Sequence, residues 1–163
     1  KPVIAAVQGG AIGGGLGLSL VADFRIGCPE SRFSANFSRL GFHQGFGTTV
    51  TLPRVVGPQN ASMMMLTGRR LKGQEAFDIG LIDYLVPLKE VRTKAIELAE
   101  EISEAGPLAV QSIRATIRAG LAEQVEEIVS WELSEQVRLQ STKDFKEGIK
   151  ASLERRNPKF EGS

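Results

Sequence analysis

The residues best suited to chemistry in this sequence are three consecutive glycines at positions 13–15. An apolar run at residues 3–7 precedes them and a second at 16–21 follows, so the pattern predicts a buried strand, a glycine turn and a buried helix. The first N–H groups of a helix lack an intrahelical acceptor, and glycine lets a ligand approach the main chain closely. The sequence therefore indicates a site for negative charge, either a phosphate or a developing oxyanion.

The familiar glycine-rich motifs do not match this run. The spacing G-x-G-x-x-G of a dinucleotide site is absent, and the lysine and the serine or threonine of a P-loop do not follow the glycines. Ser19 does not form a nucleophile elbow, G-x-S-x-G, because Val21 stands where its second glycine would be. A glycine cluster alone is more often a packing turn, so the role of this one depends on its neighbours.

Few residues near this turn could move a proton. His43 is the only histidine, and its ordinary pKa near neutrality makes it a candidate general base, the alternative being a hydrogen-bonded loop histidine. Asn36 and Ser38 could orient water or a carbonyl, although such side chains commonly bond to loop backbone. Asp23 follows the predicted helix directly, and we expect it to pair near the helix end rather than act on a substrate.

The elements that must position these residues follow an α/β pattern and then a helical one. We expect strands at 3–7, at 24–27 and around Phe33, and a helix at 14–22. Beyond Gly57 the spacing predicts mainly helices. These lie at 59–66, 74–79, 88–103, from Pro107 onward, 123–140 and 143–156, with one strand-like run at 81–87.

Composition narrows the possible partners. The chain has 163 residues, enough for one apolar core, and its 20 lysines and arginines balance 19 acidic residues, so no strong field attracts nucleic acid or an anionic membrane. Residues 2–22 contain no charged side chain, which is compatible with a membrane helix by length. The six glycines within this segment argue against such a helix. The single cysteine, Cys28, is expected in the core and is compatible with a reducing, cytoplasmic location.

Longer segments resemble one known family. The run KPVIAAVQGGAIGGGLGLSLVADFRI is similar to the signature of the crotonase family, also called the enoyl-CoA hydratase/isomerase superfamily. The resemblance continues, in the order found in the family, through RFSANFSRLGFHQGFGTTVTLPRVVG, MLTGRRLKGQEAFDIGLIDYLVP and EGIKASLERRNPKF. It covers essentially the whole chain, which corresponds to the C-terminal portion of a family member.

This resemblance implies a fold, a substrate class and an assembly. The fold would be α/β: residues 1–87 would form the C-terminal part of a ββα spiral, and residues 88–163 a helical region that supports homotrimers or homohexamers. The partner would be an acyl-CoA thioester, with coenzyme A as part of the substrate and no metal or separate cofactor. Nucleic acid and membrane partners are not expected.

Matched position by position, the resemblance also implies site residues. Gly14 corresponds to the residue whose N–H stabilises a thioester enolate, while the second N–H of that oxyanion hole would come from a loop upstream of this sequence. Gly13 and Gly45 fall in strips that contact substrate. Arg155 corresponds to a basic residue that reaches the CoA phosphate of a neighbouring subunit, although Arg155 and Arg156 could equally favour the helix dipole.

The sequence departs from the hydratases of this family at both catalytic glutamates. Gly17 occupies the first position and Phe37 the second, with Asn36 in place of the preceding proline. Neither glycine nor phenylalanine can exchange a proton, so two-carboxylate hydration cannot operate here. His43 and Asn36 become the catalytic candidates, and Phe37 makes the site more apolar, as if the acyl group filled it. The resemblance implies an acyl-CoA-processing enzyme of the enoyl-CoA hydratase/isomerase type, a lyase or an isomerase. The alternatives are a C–C bond hydrolase or decarboxylase of the same fold and a catalytically silent acyl-CoA-binding subunit.

Overall fold

The computed structural model describes all 163 residues. Strands and helices alternate in the first half and helices follow one another in the second, as the sequence predicts. Two short 3-10 helices, Asn36–Leu40 and Leu88–Glu90, interrupt this order. The strands are β1 (Ile4–Val7), β2 (Gly10–Ile12), β3 (Phe24–Gly27), β4 (Arg32–Ser34), β5 (Leu71–Lys72) and β6 (Tyr84–Leu85). The helices are α1 (Gly14–Leu20), α2 (Thr48–Thr67), α3 (Gly73–Asp78), α4 (Val91–Ser103), α5 (Pro107–Ile117), α6 (Leu121–Gln140) and α7 (Lys143–Leu153).

The first four strands alternate between two three-stranded sheets. In the first sheet β3 lies between β1 and β6 and is parallel to both. In the second, β4 lies between β2, which is parallel to it, and β5, which is antiparallel. Each parallel pair needs a crossover connection, and α1 supplies it for both β1–β3 and β2–β4. This is the ββα arrangement that the family resemblance implies, although the sequence pattern predicts a turn where β2 forms.

The main apolar core lies between α1, α2 and the second sheet. Leu16 and Leu20 face it from α1, four residues apart and therefore on one side of the helix. Leu52 and Met64 enter it from the two halves of α2, and Phe33 from β4 is fully buried there. The short helix with the glycine turn is thus fixed by its own apolar face.

Helix α2 is longer than the predicted helix at 59–66. It begins at Thr48, and its two segments meet at Gly57, where the backbone is non-helical (φ 76°, ψ 161°). Pro58 then opens the second segment, a position at which proline needs no N–H acceptor. The prediction missed the first segment because Pro53 and Gly57 interrupt the sequence pattern, whereas burial of Leu52 and Val56 stabilises it.

Three of the four C-terminal helices pack on the core. Helix α4 lies against β1 and β3, where it covers Ile26 and the fully buried Cys28, so the expected core position of the cysteine is confirmed. Helix α6 contacts α2, and α7 contacts the 3-10 helix at Asn36–Leu40. A domain boundary between residues 87 and 88 stays a prediction. None of the helices combines the length and apolar character needed to cross a membrane.

Helix α5 is attached differently, because none of its residues is buried. The carboxylate of Asp23, just beyond α1, accepts hydrogen bonds from Arg114 Nε (2.8 Å) and Arg118 Nη1 (3.1 Å). The same carboxylate accepts a bond from the Val3 N–H at 2.8 Å. The expectation that Asp23 pairs near the helix end is confirmed, and its charge joins α1, β1 and α5.

Replacing Asp23 by alanine should loosen α5. Two partly exposed ion pairs together contribute about 1 kcal/mol, so amide hydrogen exchange across Pro107–Ile117 should rise roughly fivefold. Mass-spectrometric exchange would measure this. Asp78→Ala on α3 is the matched control and should leave α5 unchanged. Equal exchange in α5 of Asp23→Ala and the parent protein would show that other contacts hold the helix.

The same ion pairs should depend on pH. Burial favours a higher pKa for Asp23, but the hydrogen bonds from Arg114 and Val3 and the charges of Arg114 and Arg118 outweigh it and lower the pKa. The stabilisation is therefore complete above the unfolded pKa of about 3.9 and is lost as the pH falls through the lower folded value. The difference in stability between the parent protein and Asp23→Asn should shrink in that acidic window.

Candidate active site

The glycine turn places a helix start directly after β2. Gly13 adopts φ 55° and ψ −116°, a backbone conformation that side chains other than hydrogen strongly disfavour. Its own N–H donates to the Ser34 carbonyl on β4 at 2.8 Å, which anchors the turn. The Gly17 N–H donates to the Gly13 carbonyl at 3.1 Å, and the N–H groups before it in α1, including that of Gly14, have no acceptor within the helix.

Side chains from two other segments lie against these glycines. A Cβ atom on Gly13 would lie 3.1 Å from Asn36 Oδ1 and 3.6 Å from Phe37 Cζ. A Cβ atom on Gly14 would lie only 2.8 Å from the Phe46 ring. The structure therefore brings together four residues proposed from sequence, Gly13, Gly14, Asn36 and Phe37, and adds Phe46.

Phe46 also occupies the space beside Gly17. A Cβ atom at Gly17 would lie 2.6 Å from Phe46 Cβ and 3.3 Å from Thr48 Cγ2. No larger residue fits at position 17 unless Phe46 moves. The space on the side-chain faces of Gly14 and Gly17 is consequently occupied by an aromatic ring, and position 17 contributes no carboxylate to it.

The backbone of Phe46 is itself strained. It has φ 62°, and only one other non-glycine residue, Arg155, has a positive φ. For a residue with a Cβ this region costs about 1–2 kcal/mol. The side chain is 66% exposed, so burial of the ring does not repay that cost. The surroundings must impose the conformation.

Helix α6 imposes it through two residues one turn apart. Gln136 Nε2 donates to the carbonyls of His43 (3.2 Å) and Gln44 (3.1 Å). The carboxylate of Glu132 accepts from the Gly47 N–H at 2.8 Å and from the Thr49 N–H at 3.2 Å. The turn that carries Phe46 is therefore held on both sides.

Glu132 is a buried carboxylate, only 1% exposed. Besides the two N–H donors it receives the Thr49 hydroxyl at 2.6 Å, so every partner donates to it. These donors lie at the start of α2, where the helix dipole favours negative charge. Glu132 was not predicted as a functional residue, because α6 contains many other polar residues.

His43 lies on the same turn, half-buried. Its Nδ1 is 3.0 Å from the Gln44 carbonyl oxygen. A carbonyl can only accept, so this contact places the proton on Nδ1 and leaves Nε2 of the neutral ring as a potential base. Asn36, Phe37 and Phe46 supply the atoms nearest to the glycine pair, and His43 is not among them.

Comparison with known proteins assigns this chain to a family. A sequence model for the enoyl-CoA hydratase/isomerase family matches residues 1–163. The chain belongs to this family. A crotonyl-CoA hydratase of Syntrophomonas wolfei is 38% identical over 160 residues, which cover 98% of this chain and 62% of that protein.

Solved structures agree with the family assignment. A carnitinyl-CoA hydratase from Mycobacterium avium superposes with a TM-score of 0.91 at 31% identity, over 100% of this chain and 64% of that one. A structure described as a dehydratase/decarboxylase enzyme couple involved in polyketide β-branching gives a TM-score of 0.85 at 32% identity, over 93% and 62% of the two chains. The α/β crotonase fold with a C-terminal helical region is therefore confirmed, and the chain spans somewhat under two thirds of these relatives.

The remaining residues proposed from the enoyl-CoA hydratase/isomerase resemblance lie apart from the glycine pair. Gly45 makes room for Gln136, whose Nε2 would be 2.6 Å from a Cβ there. Arg155 is exposed just beyond α7, and its guanidinium makes no hydrogen bond. Arg156 is bound to Glu147 and Glu154. The hydrogen bonds from Arg156 and from the Lys159 N–H lower the pKa of Glu147 to about 2.

The protein also contains an apolar cavity of about 500 Å³ beneath α5. The Asp23 carboxylate at its edge is already paired with Arg114 and Arg118, and it lies beyond the C-terminal end of α1, whereas Gly14 begins that helix. No group of three or more histidine, cysteine, aspartate and glutamate side chains is arranged to hold a metal ion. The turn at Gly14 remains the candidate active site.

Replacing Glu132 by alanine should lower the free energy of unfolding by about 3 kcal/mol, because the buried N–H donors of Gly47 and Thr49 would lose a charged acceptor. Chemical denaturation would measure the loss. Glu126→Ala, on an exposed part of the same helix, is the matched control and should change stability by less than about 0.5 kcal/mol. Equal effects of the two substitutions would contradict the bracing role of Glu132.

Proposed function

We propose that this protein binds an acyl-CoA thioester and stabilises its enolate at the Gly14 N–H. The observation that carries the proposal is the N–H of the first helical residue, which has no acceptor within α1 and follows the left-handed Gly13 in an enoyl-CoA hydratase/isomerase chain. A second N–H upstream of this sequence would complete the oxyanion hole. Each preorganised donor of this kind is worth about 3–4 kcal/mol at a developing oxyanion.

The surroundings favour enolate chemistry over addition of water by two carboxylates. Gly17 and Phe37 carry no proton-exchanging group, and Phe46 fills the space beside Gly17. A low-dielectric lining strengthens the bond between an N–H and the enolate oxygen. His43 would move the proton through Nε2, once bound substrate has brought the imidazole close to the glycine pair. Asn36 would orient the thioester or acyl group beside Gly13.

A decarboxylase or C–C bond hydrolase is the second candidate reaction. Both generate an enolate and both need the oxyanion site with at most one base. One structural relative at 32% identity belongs to a dehydratase/decarboxylase couple, which supports this alternative. A silent acyl-CoA-binding subunit is the third candidate, because both hydratase glutamates are absent.

Assembly into homotrimers or homohexamers is part of the proposal. Apolar side chains on α5 and α6 are open to solvent, among them Ile113 (59% exposed), Ile117 (68%) and Trp131 (62%). Their burial against another subunit would be favourable. Arg155 would then meet the CoA phosphate of a neighbouring subunit, and no metal or separate cofactor would be required. The cytoplasmic location stays a prediction.

The first test uses crotonyl-CoA and butyryl-CoA with the protein in its full natural length. We expect both to bind by calorimetry, the enone absorbance of crotonyl-CoA to persist, and deuterium from D2O to enter the α-carbon of butyryl-CoA. Bleaching of the enone would instead establish hydration. Binding without deuterium incorporation would favour a catalytically inactive acyl-CoA-binding subunit. Absence of binding would contradict the acyl-CoA proposal.

The second test concerns His43. His43→Ala should slow α-proton exchange at least roughly a hundredfold without changing acyl-CoA affinity, as loss of a general base does. His43→Asn keeps an N–H near the Nδ1 position for the Gln44 carbonyl but provides no base, so it should be equally slow. Recovery of the rate in His43→Asn would show that the ring only holds the turn.

A further inference from the structure

Phe46 combines two features that the stability of the fold does not explain. Its ring is 66% exposed, and its backbone is held in the left-handed region at φ 62°. Glu132 and Gln136 hold the turn on either side of it. A conformation imposed in this way, on an exposed aromatic residue, is typical of a side chain that is presented to a ligand.

The ring is presented at the candidate oxyanion donor. Its edge atoms Cε2 and Cζ lie 2.8 Å and 3.0 Å from where a Cβ of Gly14 would be, and its base covers Gly17. Both positions are glycine, which gives the ring the room to lie directly on the first turn of α1. A thioester whose oxygen met the Gly14 N–H would have its acyl group next to this ring.

A second phenyl ring reaches the neighbouring glycine from another segment. Phe37, on the 3-10 helix, comes within 3.6 Å of a Cβ position on Gly13. Phe42 is stacked against it with centroids 6.4 Å apart, and Phe145 of α7 lies 4.9 Å from Phe42. Phe37 is thus supported from behind, while Phe46 is supported through its backbone.

We propose that Phe46 determines acyl-group specificity and that, with Phe37, it forms an aromatic slot beside Gly14 that selects acyl groups carrying a flat apolar substituent, aromatic or conjugated, on an enolisable α-carbon. This inference rests on the proposed function and names its substrate class. Offset stacking favours a planar acyl group next to a phenyl ring, whereas a puckered or branched group of the same size cannot approach as closely. The slot contains no polar side chain from position 17 or 37 that would favour a hydroxylated acyl group.

The test compares two CoA thioesters with equal carbon skeletons and an enolisable α-carbon, phenylacetyl-CoA and cyclohexylacetyl-CoA, by calorimetry on the full-length protein. The parent protein should bind the flat phenylacetyl ester about tenfold more tightly. Phe46→Ala and Phe46→Gly should both reduce that preference to about twofold or less, and Phe46→Leu should lie between. Phe77→Ala, at another exposed phenylalanine on α3, is the control and should leave the preference unchanged.

The design separates the possible failures. Loss of preference in Phe46→Ala but not in Phe46→Gly would assign the effect to the backbone of the turn and overturn the slot. An equal affinity of the parent protein for both esters, or a preference that survives removal of the ring, would overturn it while leaving the acyl-CoA proposal intact. If neither ester bound the parent protein, the slot and the proposed function would fall together. Thermal melting of each variant confirms that it is folded.

Discussion

The bond between the Glu132 carboxylate and the start of α2 is the interaction on which the site depends. It joins residues 85 positions apart, and it is charge-assisted and shielded from water. Gln136, one turn later on α6, holds the preceding carbonyls. His43 and Phe46 take their orientation from a backbone that these two side chains fix. The helical second half therefore positions the candidate active site directly, in addition to any role in assembly.

The glycine turn, the α/β order and the pairing of Asp23 could be predicted from sequence, because each depends on local spacing or on a charge beside a helix end. Phe46 could not, since its importance arises from a left-handed backbone and from contact with Gly14 and Gly17, about thirty residues earlier. One feature of the sequence could have indicated the role of Glu132. This residue lies on the same face of helix α6 as Leu121, Val125 and Ile128, where an acidic side chain is unfavourable unless hydrogen-bond donors surround it.

An apolar lining changes what the Gly14 N–H can do. In water an N–H gains little from a developing enolate, because solvent competes for the same oxygen. In the proposed complex, an acyl group beside Phe37 and Phe46 would displace solvent, and the fixed dipole would act without reorganisation. The same lining supplies no carboxylate from position 17 or 37 to activate water for addition to an enone. Under the proposed function, stabilisation of charge and the absence of two-carboxylate hydration follow from one set of side chains.

The departures from the hydratase pattern that the resemblance implies at positions 17 and 37 are also coupled to one another. A glutamate at position 17 would need the space that Phe46 Cβ occupies, 2.6 Å from the first side-chain atom. Only glycine at position 46 would remove that Cβ, and position 37 would still carry a phenyl ring in place of the second carboxylate. Phe37 in turn packs on Phe42 and, through it, on Phe145 of α7. A two-carboxylate site would therefore require simultaneous changes at positions 17, 37 and 46 and repacking of the aromatic residues behind them, so the three residues define one alternative site rather than three separate losses.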